Sequence, residues 1–228
     1  DLNVENKHIA VIGENSYNWV TVYLTVLKSS GVIVPIDKEL PFHDIMNVLI
    51  SSDSEVMFYA EKYEKDLMEN QDKLSNIKYF VGFGRNEDYG KFLSYNLLKE
   101  KGKKLLESGS QKYTKIKSDE SKLKMLVYTS GTTGMAKGVM LSEHNLVNSV
   151  YHGLRVSTVY ERCLSVLPYH HTYEAVSGLL VSLHHHSTIC INENLKTVQK
   201  NLQLYKPDYV YLVPAFVEVF YKKIWSNA

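Results

Sequence analysis

Strand-like and helix-like segments alternate from the start of this chain, and that order restricts the fold more than any other feature. His8 to Gly13 is a short apolar run ending on glycine, as a buried strand does. From Ser16 to Ser30 the apolar residues Trp19, Val22, Tyr23, Val26 and Leu27 recur at helical spacing, and Gly31 stands where a C-terminal cap belongs. Val32 to Ile36 reads as the next strand. Pro41 to Ser51 reads as a helix, Glu55 to Tyr59 as a strand, Glu61 to Leu74 as a helix and Lys78 to Phe83 as a strand. Strands joined through helices lie parallel in a sheet covered by those helices, so the fold class is α/β.

Residues 84–122 are richer in Lys, Glu, Ser, Asn and Gly, with a helical middle from Phe92 to Leu106. They read as an irregular connection between a first βα subdomain, 1–83, and a second, 123–228. The alternation then resumes. Met125 to Tyr128 and Gly138 to Leu141 are strands, and Ser142 is an N-cap for the helix that follows. Cys163 to Leu167 is a strand, Thr172 to His184 a helix, Thr188 to Ile191 a strand and Asn194 to Leu204 a helix. Tyr209 to Val213 is a closing strand, and Pro214 to Trp225 a closing helix.

The chemistry concentrates between the two strands after residue 123. Thr129, Ser130, Thr132 and Thr133 offer hydroxyls. Gly131, Gly134 and Gly138 let backbone N–H groups approach a ligand, and Lys137 adds a positive charge. That set suits an oligophosphate. A Walker P-loop is excluded by spacing: Ala136 stands where its second glycine belongs, and Gly138 follows the lysine where Ser or Thr is required. A strand rather than a helix follows, so the loop is a flap across phosphates. The competing reading is a surface turn, but an ordinary hairpin needs only one or two special residues.

Thr129 to Gly138 resembles the phosphate-binding loop of the AMP-forming adenylating enzymes, which include acyl-CoA synthetases, peptide-synthetase adenylation domains and firefly luciferase. That family has proline just before the lysine; Ala136 frees φ at this position. The resemblance extends to Gly13 to Ser16, to Val34 to Asp37 followed by a helix, and to Lys206 to Glu218. With His171 to Glu174 it points to the long-chain fatty-acid–CoA ligase branch. It implies the two βα-layered subdomains of that family's large N-terminal domain. It also implies ATP, Mg²⁺ and coenzyme A, with a carboxylic acid converted to an acyl-adenylate and then to a thioester. Thr129, Ser130, Gly131, Thr132, Thr133, Gly134 and Lys137 would hold the phosphates.

The segment Leu167 to Glu174 lies after a strand, at the edge where open α/β sheets bind ligands. His171 matches the family's residue beside the acyl carboxylate and adenylate. A neutral imidazole can donate a hydrogen bond to an anionic oxygen. The competing reading is a helix-capping histidine, and His170 stays unassigned.

What resembles the family's adenine, ribose and magnesium segments, and its lysine-bearing small C-terminal domain, does not occur within these 228 residues. Lys137 does not take that lysine's role. The chain, which starts on Asp1, reads as an excised piece lacking turnover by itself, its partners being the remaining parts of the same enzyme. Two further readings stay open: another adenylating enzyme, such as an acyl-carrier-protein ligase or peptide-synthetase domain, or a non-catalytic nucleotide-binding module.

Other classes recede. The net charge is +1 with both signs spread along the chain, which argues against nucleic acid. No apolar stretch approaches the roughly 20 residues of a membrane span. Cys163 and Cys190 read as buried free thiols in a reducing, cytoplasmic setting. The run His184 to His186 reads as a helix end, because adjacent helical residues point apart; no metal ligands are expected.

Overall fold

The computed structural model describes residue 2 and residues 5–129, 136–156 and 160–226. They fall into two compact units, Asp1–Val147 and Asn148–Ala228.

The first unit is built on a seven-stranded sheet of order β5-β4-β3-β1-β2-β6-β7. Its strands are β1 (His8–Ile12), β2 (Val32–Pro35), β3 (Ser54–Tyr59), β4 (Tyr79–Gly82), β5 (Phe92–Ser94), β6 (Leu123–Thr129) and β7 (Lys137–Ser142). All neighbours pair in parallel except β7, which runs antiparallel to β6. The helices are α1 (Tyr17–Lys28), α2 (Phe42–Ser51), α3 (Glu64–Asn70) and α4 (Tyr95–Glu107), with α5 (Glu143–Val156) beginning after β7.

Burial drives this arrangement. Ala10 and Ile12 of β1 and Val34 of β2 share one core with Ile45, Val48 and Leu49 of α2 and Leu67 of α3. The apolar stripe of α1, Trp19, Val22, Tyr23 and Val26, is buried as its spacing predicts, with Trp19 stacked on Tyr23 at 5.3 Å. Ser16 caps α1, its hydroxyl accepting from the Trp19 N–H at 3.2 Å. Gly31 is not the cap; α1 ends earlier, with Ser29 at its C-cap. Glycine suits position 31 because a Cβ there would lie 2.6 Å from Ile9 Cδ1 and 3.2 Å from the Lys7 carbonyl, so Ile9 would have to move.

The boundary expected within 84–122 falls instead between Val147 and Asn148. The stretch 84–122 is bound into the first unit. β5 pairs with β4, Tyr95 packs edge-on against Phe58 and Phe83, and the Tyr113 hydroxyl donates to the Thr25 carbonyl at 3.2 Å. β6 joins the same sheet beside β2, with Ile33 opposite Met125. Its Lys124 is 5% exposed and donates to the Ser29 carbonyl at 2.5 Å, with the Glu143 carboxylate 3.6 Å away.

The second unit has a parallel pair, β8 (Arg162–Ser165) and β9 (Thr188–Ile191), with α6 (Ser182–His184), α7 (Val198–Tyr205) and α8 (Pro214–Ser226). Leu164, Val166, Leu167 and Val198 form its core, packed by Leu202, Leu212 and Phe216. Within the expected helix 172–184, Tyr173–Val181 is π-helical, a form found mostly as short bulges. The strand expected at 209–213 is absent: only Tyr209 bridges to Cys163, and the backbone departs before a ladder forms.

Among the described residues no helix is long and apolar enough to cross a membrane.

Candidate active site

The hairpin β6–β7 presents the glycine- and hydroxyl-rich segment. Six ladder positions hold it, from Leu123 opposite Ser142 to Thr129 opposite Lys137. Thr129 and Lys137 are therefore cross-strand partners at the open end, both exposed. This end follows the carboxyl terminus of β6, on the side of a parallel sheet where ligands bind. Side chains directly opposite in an antiparallel ladder have Cβ atoms about 5 Å apart, close enough for one anion to touch both. The predicted phosphate ligands Ser130, Gly131, Thr132, Thr133 and Gly134 lie outside the described residues.

The base of the hairpin is firm. Tyr128 stands opposite Gly138, and a Cβ on that glycine would lie 3.0 Å from Leu126 Cδ1 and 3.3 Å from Tyr128 Cζ. The ring thus lies close over the glycine, where a side chain would have to push it or Leu126 aside, and the Tyr128 hydroxyl accepts from Ser51 at 3.0 Å. Behind β7, Ser142 Oγ accepts from the Asn145 N–H at 3.2 Å and Asn145 Oδ1 accepts from the Ser142 N–H at 2.9 Å. This reciprocal cap starts α5 as the serine predicts.

The histidine segment belongs to the second unit. After β8 the chain turns at Pro168, and the His171 N–H donates to the Pro168 carbonyl at 3.2 Å. The His171 carbonyl accepts from the Ala175 N–H at 3.0 Å, so the turn runs directly into the helical segment. His171 is exposed; His170 is buried, their rings 4.2 Å apart. Tyr169, at 0% exposure, anchors the turn.

Glu174 was not assigned a part by sequence reasoning. It is 1% exposed, and its Oε1 accepts from Ser165 Oγ at 2.5 Å. Burial pushes its carboxyl up to about 7, the serine hydrogen bond opposing. The sequence signal is an acid followed four residues later by glycine, within a mostly apolar helix.

Cys163 and Cys190 are free. Cys190 stands opposite Leu164, one residue beyond Cys163, so the two thiols point to opposite faces of the β8–β9 pair. Among the described residues no group of three or more His, Cys, Asp or Glu could hold a metal ion.

Residues 2–225 match the AMP-binding enzyme family. The chain belongs to this family of adenylate-forming enzymes. A member named CoA ligase from Gibberella moniliformis is 28% identical over 191 residues, covering 80% of this chain and 28% of its own. The long-chain-fatty-acid–CoA ligase FadD15 of Mycobacterium bovis is 25% identical over 231 residues, covering 96% and 36%. The chain thus spans about a third of these AMP-binding relatives. Its fold is that of the inhibitor-bound N-terminal domain of FACL13 from Mycobacterium tuberculosis, at TM-score 0.75 and 20% identity over 95% of this chain and 52% of that one.

Proposed function

We propose that this chain is part of an ATP-dependent, AMP-forming ligase. It would activate a carboxylic acid, of the long-chain fatty-acid class, and pass it to coenzyme A. The observation that carries this reading is the pairing of Thr129 with Lys137 at the mouth of the β6–β7 hairpin. The names of the relatives in the same family point to the same acid and thiol.

In the first step the acid's carboxylate oxygen attacks the α-phosphorus of ATP, and the bond to pyrophosphate breaks. Charge grows on the departing oxygens, and donors already aimed at them lower that barrier. Lys137 and Thr129, with Ser130, Thr132, Thr133 and the amides at Gly131 and Gly134, would hold the β- and γ-phosphates. His171, as the neutral imidazole, would donate to an anionic oxygen of the acid or adenylate. In the second step coenzyme A thiolate attacks the acyl carbon and AMP leaves. Mg²⁺ would contribute further neutralisation of phosphate charge when bound with ATP. The setting proposed is cytoplasmic.

These 228 residues by themselves are proposed to bind phosphate weakly and to lack turnover. Titrating pyrophosphate into isotope-labelled chain should move the amides of Thr129 and Lys137. Lys137→Ala should weaken binding about tenfold, the worth of a charge-assisted hydrogen bond. Shifts confined to other regions would refute the site. Robust ATP–pyrophosphate exchange by the chain would refute the proposed lack of turnover.

A further inference from the structure

Glu174 lies in the interior of the second unit, and phosphate binding gives it no task. It opens the π-helical segment Tyr173–Val181. One carboxyl oxygen accepts from Ser165, the last residue of β8, at 2.5 Å. The other, Oε2, is buried without a hydrogen-bond partner. Gly178, one turn on, leaves room for the carboxyl: a Cβ there would lie 2.5 Å from its carbon and 2.6 Å from each oxygen.

Uncharged groups face this carboxyl, and the buried His170 lies in the same turn. Cys163 of β8 and Tyr169 of the turn both interact with it. Burial pushes the Cys163 thiol up to about 12 and raises the Tyr169 phenol, so both are neutral at pH 7. Tyr209 reaches the same cluster through Cys163 and through Ser182, to which its hydroxyl donates at 2.9 Å. A carboxylate here would bury a charge with one oxygen unpartnered, whereas the acid carries no charge and costs less to bury.

We propose that Glu174 is a positioning residue that latches the His171 turn against β8 while its buried carboxyl is the neutral acid, and that the latch loosens when the carboxyl ionises, because a charge buried there draws water in although the Ser165 bond remains. The latch bears on His171 because Pro168, His171 and Ala175 form one hydrogen-bonded run into the helical segment. Only this relevance to catalysis rests on the role proposed for His171; the latch itself does not.

The direction of the pH effect follows from linkage. In the unfolded chain the carboxyl titrates at 4.5 and in the folded unit at about 7. The stability it confers is therefore fully present below pH 4.5, is lost as pH rises through about 7, and is level above. Opening of the segment should rise on the order of a hundredfold across that window.

Cys163, fully buried on β8, reports that opening. In a Cys190→Ser background its reaction with a dipyridyl disulfide is followed from pH 5 to 7.5. Each rate is divided by that of the denatured chain at the same pH. The normalised rate should climb at least tenfold with Glu174 present and stay flat in Glu174→Gln, whose amide has no proton to lose. The His171 amide should follow the same midpoint in the first protein and not in the second. Identical profiles in the two proteins, or a flat profile with Glu174, overturn the proposal. Should Glu174→Gln fail to fold, the carboxyl carbon of Glu174 decides: a midpoint near 7 sustains the latch, and one near 4.5 ends it. Neither ATP nor turnover enters these readouts, so the latch and the ligase reading fail separately.

Discussion

Tyr128 of β6 sits opposite Gly138 of β7, its ring so close that a Cβ on the glycine would lie 3.3 Å from Cζ. Gly138→Val should therefore force the ring or Leu126 aside and cost about 1–2 kcal/mol, the usual penalty for overpacking. Denaturant unfolding of the two proteins measures it. An unchanged midpoint would mean that the hairpin has slack.

Lys124 is buried in β6 between the Ser29 carbonyl and the Glu143 carboxylate. Lys124→Ala should cost about 2–3 kcal/mol, because it strands a carbonyl and leaves Glu143 without this cation. Lys124→Met should cost less, since it keeps the aliphatic stem packed. Equal losses in the two variants would show that the contacts of the ammonium, not the packing of its stem, hold the site.

Gly178→Ala should cost about 1–3 kcal/mol, because the Glu174 carboxyl occupies the space a methyl would need. The paired change Gly178→Ala with Glu174→Ala should recover part of that loss. A double-mutant cycle by denaturant unfolding gives the coupling; zero coupling would separate the two residues.

The two units should respond to pH with opposite signs. In the first, hydrogen bonds from Lys7 and Lys78 lower Glu55, and the Ser94 amide with Lys101 lowers Asp88. Glu14 is lowered by Lys38 and Lys62 against its burial. Lowered carboxylates confer stability above about pH 4.5 that is lost as pH falls through their folded values. In the second unit the exposed Glu193 is lowered by Asn201 and Thr197, but the buried Glu174 does the reverse and sets the sign there. Hydrogen exchange resolved by residue, at pH 4 and pH 7.5 and corrected for intrinsic rates, should show the first unit less protected in acid and the second less protected at pH 7.5. The same trend in both would contradict the assignment.

Cys190, partly exposed, should react with a thiol reagent at least tenfold faster than Cys163, which is fully buried with its thiol raised to about 12. Mass spectrometry of partly labelled chain distinguishes them.

What could be read from residues alone was local. The buried stripe of α1 follows from the spacing of Trp19, Val22, Tyr23 and Val26, and the antiparallel flap from two apolar runs around a loop rich in glycine and hydroxyls. What escaped depended on distant neighbours. Gly31 resembles a helix cap, yet what favours glycine there is Ile9 on the adjacent strand. Tyr209 to Val213 has strand composition, but a strand exists only where an edge accepts it, and β8 accepts Tyr209 alone. The polar stretch after Phe83 looks like a linker until β5 pairs with β4. Glu174 could be found as a residue; its protonation is set by burial that no local pattern reveals.

The parallel pair β8–β9 carries a cost in the test tube. Among the described residues β9 pairs only with β8, so its outer rim of amides and carbonyls is open, while Val217, Val219, Tyr221 and Trp225 of α8 face water. Unsatisfied rims and oily helices recruit one another. Preparations of these 228 residues should therefore cluster as they are concentrated, and dilute samples will give the cleanest spectra.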